Sequence, residues 1–214
     1  MLLAASTFTH DIAIVAPVLS ILQCVTQALH ISREGAEGVS LLTWILSVFV
    51  AENWTGYGLV FHVAAEIYSN IPFLAVAGAV IIVAARHQDR LRRAMASTAG
   101  VTALAVLMSL VGLSHQWRWT LSAVAVVGAI VIYLPQLVVT LRTSDLMGVS
   151  VVSWAIAFVT SLAWGLYGLL IHQPPVALPS VVMIPSTLVI LVQVSRHRLR
   201  GRAMQGETSA PLIE

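Results

Sequence analysis

Four side chains carry spacing that could do chemistry together: Trp54 is followed by Asn70 sixteen residues on, and Trp164 by Ser180 at the same interval. Indole faces offer flat apolar surface for stacking, an amide both donates and accepts hydrogen bonds, and a serine hydroxyl offers one donor. Glu52 and Asn53 stand just before the first of these tryptophans, inside an otherwise apolar stretch. A carboxylate at such depth in a bilayer costs on the order of 3 kcal/mol and belongs facing an interior. Glu52 could there hydrogen-bond to a solute or load and release a proton, or bond to Gln23 or Gln27 of the first apolar run. Asn53-Trp54-Thr55 also spells a glycosylation sequon, which is inaccessible inside a span. Reaction chemistry is not indicated: there is no nucleophile elbow, phosphate loop or pair of catalytic carboxylates. The seven histidines show no ligand spacing. No enzyme, metal or cofactor is expected.

The elements that must position these residues are set by composition. With 58% hydrophobic residues, 9% charged and a mean hydropathy of +0.92, the chain is far from soluble domains of its length and reads as an all-α integral membrane protein. Its partners are then the lipid bilayer and a small solute, and a net charge of +2 asks for no nucleic acid; a homo-oligomer is left open. The single Cys24 rules out a disulfide within one chain. The opening MLLAASTFTHD lacks a basic n-region and a cleavage site, so no signal peptide is expected.

Stretches long enough to cross a hydrocarbon core of roughly 30 Å fall at 12–29, 39–61, 67–85, 97–114, 120–141, 149–171 and 176–194. All eleven basic residues are arginines, and ten lie on one side of these seven spans, with Arg118 alone on the other. The positive-inside rule then puts the amino terminus outside and the carboxyl terminus in the cytoplasm, with the cell membrane as the expected location. Trp117 and Trp119 suit an interfacial aromatic belt, and Trp44 and Trp154 suit interfacial anchoring at the other end.

The phrase GVSLLTWILSVFVAENWTGYGLVFH at 38–62 returns at 148–172 as GVSVVSWAIAFVTSLAWGLYGLLIH, identical at 9 of 25 positions without a gap. This is a duplication: 1–90 holds one three-helix repeat, 91–119 a linker helix, 120–200 the second repeat, and 201–214 a polar tail read as disordered. Three spans is an odd number, so the linker helix must invert the chain to keep both triplets the same way up. Such parallel repeats face each other and enclose a substrate path between them. His62 and His172 mark the hairpin centres, with Trp54, Asn70, Trp164 and Ser180 each eight residues away. Equal distance from a tight turn means equal depth, roughly 12 Å in from the surface at 1.5 Å per residue.

With this 3+1+3 layout and the stretch YLPQLVVTLRTSDLMGVSVVSW at 133–154, the chain resembles the PQ-loop proteins, and within them the SWEET sugar transporters and their bacterial half-size relatives. In the carriers it resembles, a tryptophan sixteen residues before an asparagine forms each half of the pocket. The resemblance therefore assigns substrate binding to Trp54, Asn70 and Trp164, while Ser180 departs from the pattern. Stacked indoles and hydrogen-bonding amides suit a pyranose. The first repeat lacks the motif proline: ungapped alignment puts Val25-Thr26 opposite Pro135-Gln136, and a one-residue gap puts Thr26-Gln27 there. Prolines within spans free a carbonyl and weaken a turn, which makes Pro17, Pro72, Pro135, Pro179 and Pro185 flex points. Pro135 and Gln136, with Pro17, are the hinge candidates for alternating access. The expected function is facilitated diffusion of a small neutral solute, a sugar first. The alternatives are a proton-coupled carrier of amino acids or another metabolite, with Glu52 or Asp145 titrating, and a receptor of this fold that moves nothing.

Overall fold

A computed structural model describes residues 2–114, 116–143 and 145–208. Their helices are α1 (Leu2–Glu34), α2 (Leu41–Phe61), α3 (Ala64–His87), α4 (Leu91–Gly112), α5 (Arg118–Val131), α6 (Tyr133–Arg142), α7 (Val151–Leu170), α8 (Pro174–Ala177) and α9 (Ser180–Thr208). The described residues form no strand. α5 and α6 make one interrupted rod, as do α8 and α9. In the first triplet α3 packs against both α1 and α2, and in the second α9 packs against both α6 and α7. The triplets meet crosswise, α1 on α7 and α2 on α5 and α6, while α4 lies mainly along α2.

Local sequence explains the turns between rods, and it does so twice. Ser40 and Ser150, the serines of the two GVS phrases, cap α2 and α7 by accepting hydrogen bonds from the N–H of Thr43 (3.2 Å) and Ser153 (3.1 Å). His62 (φ 57°) and His172 (φ 54°) both enter the left-handed region at the far ends of these helices. The N–H of Val63 then reaches the Gly58 carbonyl and that of Gln173 the Gly168 carbonyl, each at 2.9 Å. These glycines are required by close approach: a Cβ on Gly58 would meet the Val63 carbonyl oxygen at 2.9 Å, and one on Gly168 would collide with the backbone of Ala177. The hairpin centres are therefore where the sequence places them.

Proline acts unequally. Three residues before Pro135 the rod breaks at Ile132, between α5 and α6, and a second break at Leu178 and Pro179 separates α8 from α9. Pro17, Pro72 and Pro185 instead lie inside unbroken helices. Of the expected flex points, only two adjoin an interruption.

Among the described residues six segments are long and apolar enough to cross a membrane, with mean hydropathies from 1.5 to 2.3. α2 is not among them, because its second half, Glu52-Asn53-Trp54-Thr55-Gly56-Tyr57-Gly58, is too polar. It is instead walled in by α3, α4, α5 and α6. Two further expectations are corrected. α9 continues to Thr208, into the segment read as a disordered tail, since Arg, Ala, Met and Gln extend an existing helix without a new nucleus; residues 209–214 lie outside the described residues. Trp44 and Trp154 are buried at 6% and 5% exposure rather than anchored at an interface, because the crossed triplets close over them; Trp154 sits edge-on to Tyr133 at 6.0 Å. Trp117 and Trp119 are exposed.

Candidate functional site

Two apolar clusters divide the interior along the rods. One, on the arginine-rich side, gathers Cys24, Ile31, Trp44, Tyr133 and Trp154. The other, toward the hairpins at His62 and His172, gathers Trp54, Tyr57, Val63, Tyr167 and Val176. Between them lies a cavity of about 110 Å³ bordered by both triplets. Trp54, Asn70, Trp164 and Ser180 all line it. The shared depth inferred from the hairpins is what brings them together.

The two indoles are held alike. Trp54 meets Tyr57 edge-on at 5.2 Å and 71°, and Trp164 meets Tyr167 at 5.7 Å and 74°. Each tyrosine follows its tryptophan by three residues, so the pair stacks up one helical face. The indole N–H of Trp164 donates to the Ser20 hydroxyl across the triplet boundary at 3.1 Å. Asn70 donates to the Glu66 carbonyl (2.7 Å) and to Glu66 Oε2 (3.1 Å). Ser180 Oγ is buried without a hydrogen-bond partner.

Glu52 and Asn53 do not line the cavity. Glu52 turns to the linker helix, where its Oε1 accepts from the Thr102 hydroxyl at 2.8 Å, rather than to Gln23 or Gln27. Asn53 is fully buried and donates to its own helix at the Phe49 carbonyl. The cause is helical phase: Trp54 faces the cavity, so the one and two positions before it rotate away by about 100° each. Asp145 lies among exposed residues near the arginine-rich end, where its carboxylate accepts from the Met147 N–H.

The carboxylate that does line the cavity is Glu66, at 4% exposure. A span beginning at 67 leaves it in a loop, whereas α3 starts at Ala64. Its signal in the sequence is its place one helical turn before Asn70.

Gln136 is also placed by the fold, though as a tie between triplets. Its Oε1 accepts from the Ser40 N–H (2.8 Å) and its Nε2 donates to the Gly38 carbonyl (2.9 Å). Gln27 mirrors it, donating to the Gly148 carbonyl (2.7 Å) and accepting from the Ser150 N–H (3.2 Å). The one-residue gap is thus the correct repeat alignment, with Thr26-Gln27 opposite Pro135-Gln136. Pro135 and Pro17 are not among the cavity-lining residues.

The two triplets are also bridged to each other on either side of the cavity, toward the hairpins and toward the arginine-rich face. On the hairpin side the Tyr57 hydroxyl donates to Gln173 Oε1 at 3.0 Å. On the arginine-rich side Arg198 pairs with Glu34 at 2.7 Å, and Arg198 and His30 both reach the Met147 carbonyl. Each bridge joins the first triplet to the second.

Among the described residues no group of His, Cys, Asp and Glu could hold a metal ion. By sequence, no protein-family model and no curated protein matches the chain. By structure it matches a eukaryotic SWEET transporter with a TM-score of 0.65 at 14% identity, covering 89% of this chain and 99% of that one. These crossed rods around an indole-lined cavity therefore have a SWEET-like fold.

Proposed function

We propose that this chain is a membrane carrier that moves a small neutral solute, a sugar, by facilitated diffusion and alternating access. Its seven rods cross the bilayer, with α2 sheltered from lipid by its neighbours, and the arginine-rich face is cytoplasmic. The observation that carries this reading is the cavity between the triplets, bordered by Trp54, Asn70, Trp164 and Ser180, with bonds between the triplets on either side of it. A carrier needs a solute site that neither side reaches at once, and bridges that can open one at a time supply it. The break at Ile132 before Pro135 lets α5 and α6 tilt separately, while Gln136 keeps α6 docked to the opposite triplet.

The test is a counterflow screen of sugars, amino acids and vitamins with purified protein in liposomes. Downhill sugar exchange insensitive to a pH gradient supports the proposal. A strict pH-gradient requirement would favour a proton-coupled carrier, and binding without flux for every solute a receptor. Pro135→Ala should slow exchange without weakening binding; full-rate exchange in that variant counts against a hinge there.

A further inference from the structure

The hairpins at His62 and His172 have the same backbone geometry, so positions 110 residues apart occupy equivalent places on α3 and on α8–α9. Four such pairs line the cavity: Glu66 with Val176, Ser69 with Pro179, Asn70 with Ser180, and Phe73 with Met183. Phe73 and Met183 are both apolar and Asn70 and Ser180 both polar, but Glu66 and Ser69 each face an apolar counterpart.

On the α3 wall the donors of Asn70 and Ser69 are used up locally. Asn70 gives its amide hydrogens to the Glu66 carbonyl and to Glu66 Oε2, and the Ser69 hydroxyl donates to the Glu66 carbonyl at 3.1 Å. What this wall has left to offer is the carboxyl group of Glu66 and, as an acceptor, the Asn70 amide oxygen. No ion pair saturates Glu66: among the described residues the ion pairs join Glu34 to His30 and Arg198. The other wall presents Val176 and Pro179, which have no polar side-chain atom. Its one hydroxyl, on Ser180, has no partner and is crowded by Gly165, where even a Cβ would come within 3.0 Å of Oγ.

We propose that the cavity is polarised: the Glu66–Asn70 wall takes the hydroxyl groups of a small polyol, the Val176–Pro179 wall takes its apolar flank, and the solute therefore binds in one orientation. The inference rests on the sugar-carrier reading and adds Glu66 as the specificity-determining polar group. A hydroxyl turned toward α3 gains a partner, whereas one turned toward Val176 loses water and finds none. A solute equally hydroxylated on both edges is the wrong shape for this site, and one with a bare edge is the right one.

The experiment is counterflow of labelled D-glucose by the full-length protein in liposomes, competed by 1-, 2-, 3- and 6-deoxyglucose. The positions should split: removing hydroxyls that face Glu66 weakens competition about 10- to 100-fold, as for hydrogen bonds to charged or buried acceptors. At least one analogue, lacking the hydroxyl that faces Val176, should compete within about 2-fold of D-glucose or better, since no bond is lost there. Glu66→Gln keeps the volume and one acceptor oxygen but puts an amide NH2 group in place of the other oxygen, and should reduce the split. An even loss across all analogues in the wild type overturns the proposal, as does an unchanged split in Glu66→Gln. The wild-type scan needs no variant, so a misfolded Glu66→Gln does not shield it. Absence of any D-glucose exchange would instead overturn the sugar-carrier reading, and this inference with it.

Discussion

The two ends of each repeat treat the internal symmetry differently. Where the triplets cross near the arginine-rich face, Gln27 and Gln136 make the same pair of bonds to the two GVS loops. Just beyond the hairpins, the equivalent positions of α3 and α8–α9 carry an acid opposite a valine and a serine opposite a proline. The crossing is a contact between two copies of one backbone, so the same orphan N–H and C=O recur and the same amide satisfies both. The cavity wall repeats no such backbone contact, so nothing in the duplication holds its two sides alike.

The sharpest way to break this comparison is at the crossing. Gln27→Ala and Gln136→Ala should each destabilise the protein by about 2 to 4 kcal/mol, since each orphans two buried backbone groups at roughly 1 to 2 kcal/mol apiece. Thermal unfolding in detergent measures this, and a large cost for one with none for the other would show that the crossing is not symmetric. Next come the hairpin glycines. Gly168→Ala should cost about 2 to 3 kcal/mol because its Cβ runs into the backbone of Ala177, and Gly58→Ala about 1 kcal/mol less because part of its clash is with the movable Ile67 side chain. Equal melting shifts would refute that ranking.

At the cavity, Trp54→Ala and Trp164→Ala should each weaken solute competition by roughly 1 to 3 kcal/mol if the indoles stack on the solute. The folded fraction should be followed alongside by near-ultraviolet circular dichroism. Unchanged competition in both would leave the indoles as packing only. The smallest effect belongs to Glu52→Gln. Its amide oxygen can still accept from Thr102 and it lies off the cavity, so exchange should change less than about 2-fold. A large loss of pH-gradient-driven uptake in this variant would restore Glu52 as a coupling group.

Much of the site can be read before folding because it depends on counting along a helix from a turn. Trp54, Asn70, Trp164 and Ser180 sit eight residues from their hairpin centres, and rise per residue converts that number into depth. Glu52 shows where counting stops. Depth alone recommends it, but depth does not give rotation about the helix axis. A step or two along the helix from Trp54 is enough to turn a side chain away from the cavity: Asn53 bonds back to its own helix and Glu52 reaches the linker helix, while Trp54 stays at the wall. Glu66 is hidden for another reason. A charged residue at the edge of an apolar run is normally solvated, and only the start of α3 at Ala64 draws it inside.

Sequence by itself determined the apolar helical class, the repeated GVS phrase, the hairpin positions and the equal spacing of the paired tryptophans from them, because hydropathy, repeat offset and helical rise are all properties of the linear chain. Tertiary structure alone decided which triplet faces what: that Gln27 and Gln136 tie the repeats together, that Trp44 and Trp154 are enclosed, and that Glu66 rather than Glu52 borders the cavity. Those outcomes depend on how rods rotate and cross, and the angle between two packed helices is fixed by the summed contacts of both surfaces, which no single stretch of sequence contains.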